Sequence, residues 1–340
     1  MRVAAASTAI CVAVAGALAV SGCGSEAGNP PPAEPAVSPT LTAKPVGTVI
    51  PGKSEAEGVV ADAETGLAAV SFRDPNVIEL IDVADAKVAR RVRTPDESRH
   101  LALAGPGGPV LAPIEYRDLL LRIELPSGKI TSRVKVGDFP HDAAQADDGR
   151  VFVTDEGGDA ISVVDGDSVE ATLPVPEQPG GIAVAGNVVG AVTAAAREMA
   201  FYDAGTLEQT AVLPGGAGPS HVVAGTDDRF YVADTAGDAI LVYRSVPEPE
   251  LIDRTNVPDS PYGIAIDERR DHLWVTRTGA NRVVELEITD LAPKIIDSFP
   301  TVREPNGVAV DERTGSVVVV SRSSGDVQIF DPAAEREGSR

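Results

Sequence analysis

The feature that most constrains this chain is a pattern that recurs seven times. Each copy reads as a turn, a short apolar run, a polar turn, a second apolar run, a Gly-Asp or Asn turn, and a third run. The clearest copy is Pro261-Tyr262-Gly263-Ile264-Ala265-Ile266-Asp267, then Leu273-Trp274-Val275-Thr276, then Asn281-Arg282-Val283-Val284-Glu285-Leu286. Another is Pro305-Asn306-Gly307-Val308-Ala309-Val310-Asp311, then Val317 to Val320, then Asp326 to Phe330. Phe139-Pro140-His141-Asp142 and Gly218-Pro219-Ser220-His221 open two more, and weaker copies begin at Gly58, His100 and Gly181. With Gly58, His100, Asp142, Gly181, His221, Gly263 and Gly307 as equivalent positions, the steps are 42, 42, 39, 40, 42 and 44 residues.

Short β-branched runs at this period predict an all-β fold, a seven-bladed β-propeller of four-stranded blades. The alternatives fit less well. A β-solenoid has shorter rungs, and a sandwich has no reason to repeat its turn chemistry seven times. Pro-x-Gly before a first strand fixes one backbone angle and frees the next, which suits a sharp approach to the axis. Outer strands are expected at Val88–Val92, Ile130–Val136, Val169–Leu173, Thr210–Leu213, Glu250–Ile252 and Ile295–Phe299. The last unit ends at Phe330-Asp331 without one, while Val46–Ile50 lies unassigned upstream. That N-terminal strand is therefore expected to complete the last blade and close the ring, leaving no open edge to aggregate.

The Pro-x-Gly-Ile-Ala-Ile-Asp and Leu-Trp-Val-Thr segments resemble the YVTN and NHL-type repeats of YncE-like seven-bladed propellers, over residues 46–331. The resemblance implies the fold and leaves the activity open, because relatives of this shape include lactonases, lyases and scaffolds without catalysis.

The N-terminus carries an address. Arg2 precedes an apolar run from Val3 to Val20, and Ser21, Gly22 and Cys23 follow. This is the pattern of a secretory signal over residues 1–22, and the alternative is a single membrane anchor. Val20-Ser21-Gly22-Cys23 resembles the lipobox of bacterial lipoproteins, which implies that Cys23 receives lipid and becomes the first mature residue. Cys11, the other cysteine, would be discarded with the signal, so no disulfide is expected. Residues 23–45 are rich in Pro, Ala and Ser and read as a disordered tether. Residues 332–340 read as a disordered tail. The expected location is the extracytoplasmic side of the cell membrane, with contact to the bilayer through lipid alone.

A net charge of −22 argues against nucleic acid as a partner, since phosphate binding runs on Lys and Arg. The chain is expected to be a monomer. Three of the four histidines fall on equivalent turns of units two, three and five, and two of them stand where Gly is expected; His272 falls on the opposite face. The turns place Glu57, Arg99, His100, His141, Asp142, His221, Tyr262 and Asn306 around one channel mouth, ringed by residues such as Arg73, Glu115, Asp155, Glu156, Arg277 and Arg322. His100, His141 and His221, with Asp142, are candidate ligands of a divalent metal or candidate acid–base groups. Arg73, Arg277 and Arg322 are candidates for binding a small anionic or carbohydrate ligand. Asp155-Glu156-Gly157-Gly158-Asp159 has the composition of a calcium loop and equally suits a hairpin turn. Trp274 and Tyr231 are expected in the core.

Neither a nucleophile elbow nor a phosphate loop nor a zinc cysteine pair is present. Two readings follow. The first is a binding or scaffold module whose mouth takes a ligand or an envelope protein, with no cofactor assured. The second is a metal-dependent lactonase or lyase using His100, His141 and His221.

Overall fold

In this computed structural model the strands group into seven four-stranded antiparallel sheets, six of them running outward from an innermost strand in chain order and the last taking its outermost strand from the N-terminal side. The structure describes residues 31–338 apart from Lys53 and Thr226. The signal segment and Cys23 lie outside the described residues. The innermost strands are Ala56–Asp62, Ala102–Leu103, Pro140–Gln145, Pro179–Ala185, Pro219–Ala224, Pro261–Asp267 and Pro305–Asp311.

Second strands such as Leu67–Phe72 are buried at every position, because each blade is covered on both faces by its neighbours. The core is accordingly split into clusters between blades. Leu67, Ala69, Ile78 and Leu80 of blade one meet Val110, Ala112 and Ile114 of blade two in one such cluster. Trp274 and Tyr231 are both buried, as expected.

Ring closure occurs as the sequence predicts. Thr48–Ile50 pairs antiparallel with the last strand, Val327–Phe330, with Thr48 opposite Ile329 and Ile50 opposite Val327. Ala68 and Val70 of blade one pack with Val318, Val320 and Val327 of blade seven across the seam. Gln328, fully buried, fastens the latch: its amide donates to Val46 O (2.9 Å) and Pro300 O (3.1 Å) and accepts from Val302 N (3.0 Å).

Two segments depart from the sequence reading. Residues 332–338 form a helix rather than a disordered tail. The Asp331 carboxylate accepts from Ala333 N at 2.9 Å, Pro332 sits where its missing N–H costs nothing, and Arg336 pairs with Glu285 and Asp297 of blade six. The expected tether carries no helix or strand over its described part, residues 31–45, yet Ser38 within it is buried against the propeller.

Candidate functional site

The mouth is built by a repeated irregularity. In six of the seven innermost strands the register with the second strand slips just after the first paired residue. Pro219 pairs with Asp234, and the next partners are Val222 and Val232, so Ser220 and His221 fall in the bulge. The same slip frees Glu57 and Gly58, His141, Gly180 and Gly181, Tyr262 and Gly263, and Asn306. A bulge bends the strand and re-aims its side chains. Hydroxyls of the second strand recover the displaced N–H groups: Ser71 accepts from Gly58 N, Thr154 from Asp142 N and Thr276 from Gly263 N, at 2.8–3.1 Å.

At or beside these slips, one equivalent position from each blade forms an inner ring at the mouth. The inner ring is Gly58, His100, Asp142, Gly181, His221, Gly263 and Gly307. At Gly263 an added Cβ would lie 2.5 Å from Asn306 O, and at Gly307 it would lie 2.8 Å from Glu57 O. Glycine there lets neighbouring blades close up and leaves the axis empty. Imidazoles from blades two and five fill that space and touch, although the two blades are not neighbours. His221 Nε2 and His100 Nε2 are 3.2 Å apart, and the His100 ring centroid lies 4.6 Å from those of both His221 and His141.

Hydrogen bonds set the tautomers. His221 Nδ1–H donates to Tyr262 O at 3.0 Å, so its Nε2 holds a lone pair that accepts from His100 Nε2–H. His100 Nδ1 then faces Asp142 Oδ2 at 4.0 Å. His141 Nδ1 donates to Glu156 Oε2 at 2.6 Å, and Gln178 donates to the other oxygen of that carboxylate, also at 2.6 Å. Burial, with the neighbouring imidazoles, holds His100 well below its ordinary value and brings His221 down to about 3, so both are neutral at pH 7. Burial raises Asp142 to about 6, His141 working against the rise. Burial opposes ionisation of Glu156, but the hydrogen bond and charge of His141 prevail and bring it down to about 2.

Charged residues surround the imidazoles. Arg99 lies 3.2 Å from Glu115, 3.6 Å from Glu156 and 3.7 Å from Glu57. Burial opposes its charge, yet these carboxylates hold the guanidinium above its usual range. Arg73 pairs with Glu57 (2.7 Å) and Glu97 (2.9 Å), and Arg322 stands 3.7 Å from Glu57. Glu115, almost wholly buried, is pushed up by burial against the pull of Arg99. Glu57, Glu97, Glu115 and Glu156 thus face Arg73, Arg99 and Arg322, and Asp142 faces His100, an excess of acid that favours a cation at the mouth.

Below the imidazoles lies a cavity of about 570 Å³, walled by apolar side chains such as Leu101, Ile182, Val222, Ile264 and Val308. His100, Asp142, His221, Tyr262, Asn306 and Arg322 line it. The Asn306 Oδ1 atom is buried there without a partner, and burial raises the Tyr262 phenol.

Other expected residues lie elsewhere. Arg277 is held at the blade-six rim by Pro258 O (2.7 Å) and the Asp259 carboxylate, and Arg73 is held by its two glutamates outside the cavity lining. The acids of the run 155–159 do not converge: Asp155 accepts from Ser162, Glu156 from His141 and Gln178, and Asp159 from Gln178 N. His272 sits apart from the mouth, with Nδ1 2.8 Å from Glu285. Gln178 and Glu34 were not singled out by the repeat, because one lies in a turn and the other precedes the ring.

The three imidazoles suit a divalent metal in their chemistry. Two nitrogens on one tetrahedral ion with bonds of ~2.0–2.1 Å stand about 3.4 Å apart, close to the His100–His221 spacing of 3.2 Å. Each Nδ1 also faces an oxygen, and that arrangement fixes ligating imidazoles in metal sites. Binding requires His100 to carry its proton on Nδ1, toward Asp142, in place of Nε2. As the side chains stand, no group of three or more His, Cys, Asp or Glu among the described residues is arranged to hold an ion, so His141 has to move toward the pair.

No protein-family profile matches the chain, and no curated protein matches it in sequence. Solved structures do match in shape. The chain is similar to Kuenenia stuttgartiensis hydrazine synthase at 16% identity, covering 86% of this chain and 99% of that one, with a TM-score of 0.72. It is similar to a streptogramin B lyase at 17% identity, covering 84% and 97%, with a TM-score of 0.70. The Swd1 β-propeller domain of Myceliophteria thermophila matches at 13% identity over 84% and 98%, with a TM-score of 0.71. At these identities the likeness shows the seven-bladed fold alone.

Proposed function

We propose that the channel mouth is a divalent-cation centre with His100, His141 and His221 as ligands, and that it serves a lactonase or lyase reaction. The observation that carries this reading is the placing of the imidazoles: Nδ1 of His141 and His221 is bonded to an oxygen, that of His100 faces Asp142 at 4.0 Å, and two Nε2 atoms meet at 3.2 Å at the head of the cavity. A bound cation would supply Lewis acidity toward the carbonyl of an ester-linked ring. The chain's own groups do the rest. Tyr262 O and Glu156 hold protons on Nδ1 of His221 and His141, Asp142 faces His100 Nδ1 at 4.0 Å, and the cavity beneath offers apolar side chains such as Ile182 and Val222 to a substrate. The propeller of a streptogramin B lyase shares this fold, which makes lyase chemistry compatible with the scaffold.

Metal analysis of the purified chain, with His100, His141 and His221 each changed to Ala, tests this. Stoichiometric metal that disappears in each variant, together with turnover of a lactone panel, is the expected result. A metal-free protein that also fails to bind added zinc, manganese or magnesium would falsify it.

The second reading is a binding or scaffold module. It is favoured by the side chains as they stand, since no three His, Cys, Asp or Glu among the described residues are arranged to hold an ion. The pairing of Arg73 and Arg277 within the protein, however, leaves only Arg322 of the three candidate arginines lining the cavity. We infer from Val20-Ser21-Gly22-Cys23 that the chain is lipidated at Cys23 and displayed outside the cytoplasm. Cys23→Ser should move it from the membrane to the soluble fraction; retention in the membrane would count against the anchor.

A further inference from the structure

Residues 33–39 cross the rim of the mouth as an extended segment held at its backbone. Ala36 N donates to both Ser260 Oγ (3.2 Å) and Thr278 Oγ1 (3.1 Å). Ser38 Oγ donates to Thr278 O, Ser38 O accepts from Arg303 Nη2 (3.2 Å), and Pro39 O accepts from Asn281 Nδ2 (2.9 Å). At the other end the segment lies so close to blade five that a Cβ on Gly218 would meet Ala33 Cβ at 2.6 Å. Between these ends Glu34 reaches 3.4 Å from Arg322 and joins His100, His221 and Tyr262 in lining the cavity. Ser38 is 4% exposed while Val37 beside it is 84% exposed, so the segment has an inner and an outer side.

The composition of the segment suits such a contact. Pro31, Pro32, Pro35 and Pro39 restrict it to extended conformations, so little entropy is lost on docking, and its amide and carbonyl groups remain free to bond. Its partners come from turns of blades six and seven that have no role in the ring's own closure. Thr278 is buried and engages the segment through both its hydroxyl and its carbonyl.

We propose that residues 33–39 are a strap that gates the histidine-bearing mouth, closed in this structure and opened when the backbone bonds to blades six and seven are released. The proposal takes the mouth as the working site but does not depend on what the histidines bind. Five hydrogen bonds, four part-buried and one buried, hold the strap, so opening is a local event that costs less than unfolding the propeller.

The test is site-resolved modification of histidine by diethyl pyrocarbonate in chelator-treated full-length protein, which removes any dependence on metal. His272, away from the mouth and tied to Glu285, is the internal control. Two variants are compared with the parent chain: residues 33–39 replaced by a Gly/Ser segment of equal length, and Ala36→Pro, which deletes one N–H and leaves the propeller untouched. The expected result is about tenfold faster modification of His100 and His221 in the replacement, a smaller acceleration in Ala36→Pro, and an unchanged rate at His272. Parent-like rates at the mouth in both variants overturn the strap, as does equal acceleration at His272, which reports general loosening. Neither outcome bears on metal stoichiometry, so a failed strap and a failed metal centre are distinguishable.

Discussion

His100 and His221 meet Nε2 to Nε2 at 3.2 Å although 121 positions separate them in the chain. The contact depends on what is missing around it. Four of the seven inner-ring positions are glycine, and the empty axis admits two rings that approach from different blades.

The same crowding makes Gly263 intolerant of a side chain. Alanine there would place Cβ 2.5 Å from Asn306 O and 3.0 Å from the Gly307 Cα, backbone atoms that cannot swing away. Gly263→Ala is expected to destabilise the fold by about 2 kcal/mol or more. A urea midpoint equal to that of the parent would show that the blades can part at no cost.

Glu156→Gln probes the support of the third imidazole. The amide still accepts one hydrogen bond but carries no charge for His141. If the mouth binds metal, affinity should fall by about 10- to 100-fold with little change in melting temperature. Competition with a chromogenic chelator measures it, and an unchanged constant would remove Glu156 from the metal's support.

Asp155 gives a pH-dependent prediction away from the imidazoles. Burial raises its carboxyl from 3.8 to about 6 against the bond from Ser162, so the folded state favours the protonated form. Its stabilising contribution is full below pH 3.8 and is lost as pH rises through about 6. Asp155→Asn keeps an acceptor for Ser162 and needs no ionisation. It should be more stable than the parent by about 1–3 kcal/mol at pH 8, with the gain vanishing near pH 4. Equal gains at both pH values in urea titrations would reject the cause.

Gln328→Ala strips the latch of three hydrogen bonds and takes the partner from the buried Val302 N–H and the half-buried Val46 carbonyl. The expected loss is about 2–4 kcal/mol. Deleting residues 45–52 should lower the melting temperature further and expose the edge of Val327–Phe330. An unchanged melting curve for the deletion would mean the ring holds without its latch.

The ring was legible because its information is periodic. The seven turns, the β-branched runs and the missing outer strand of the last unit together specify blade count and closure. The mouth was only half legible. Equivalent positions put His100, His141 and His221 on one face, but contact between blades two and five depends on glycines elsewhere in the ring and on bulges that leave no mark in the spacing. Arg277 occupied a repeat position like that of Arg322, yet Asp259, outside the repeat pattern, draws it to the rim. The strap was hidden for a different reason. Most of its bonds are made by backbone atoms, so a run of Pro and Ala that reads as featureless can still dock.

Thr48–Ile50 is made long before the strand it pairs with, since 277 positions separate Ile50 from its partner Val327. A polypeptide cut short before Val327 would own six complete blades and still be an open arc with two raw edges. The seam can be drawn shut only when both strands are present, and until then Thr48–Ile50 has no neighbour to pair with.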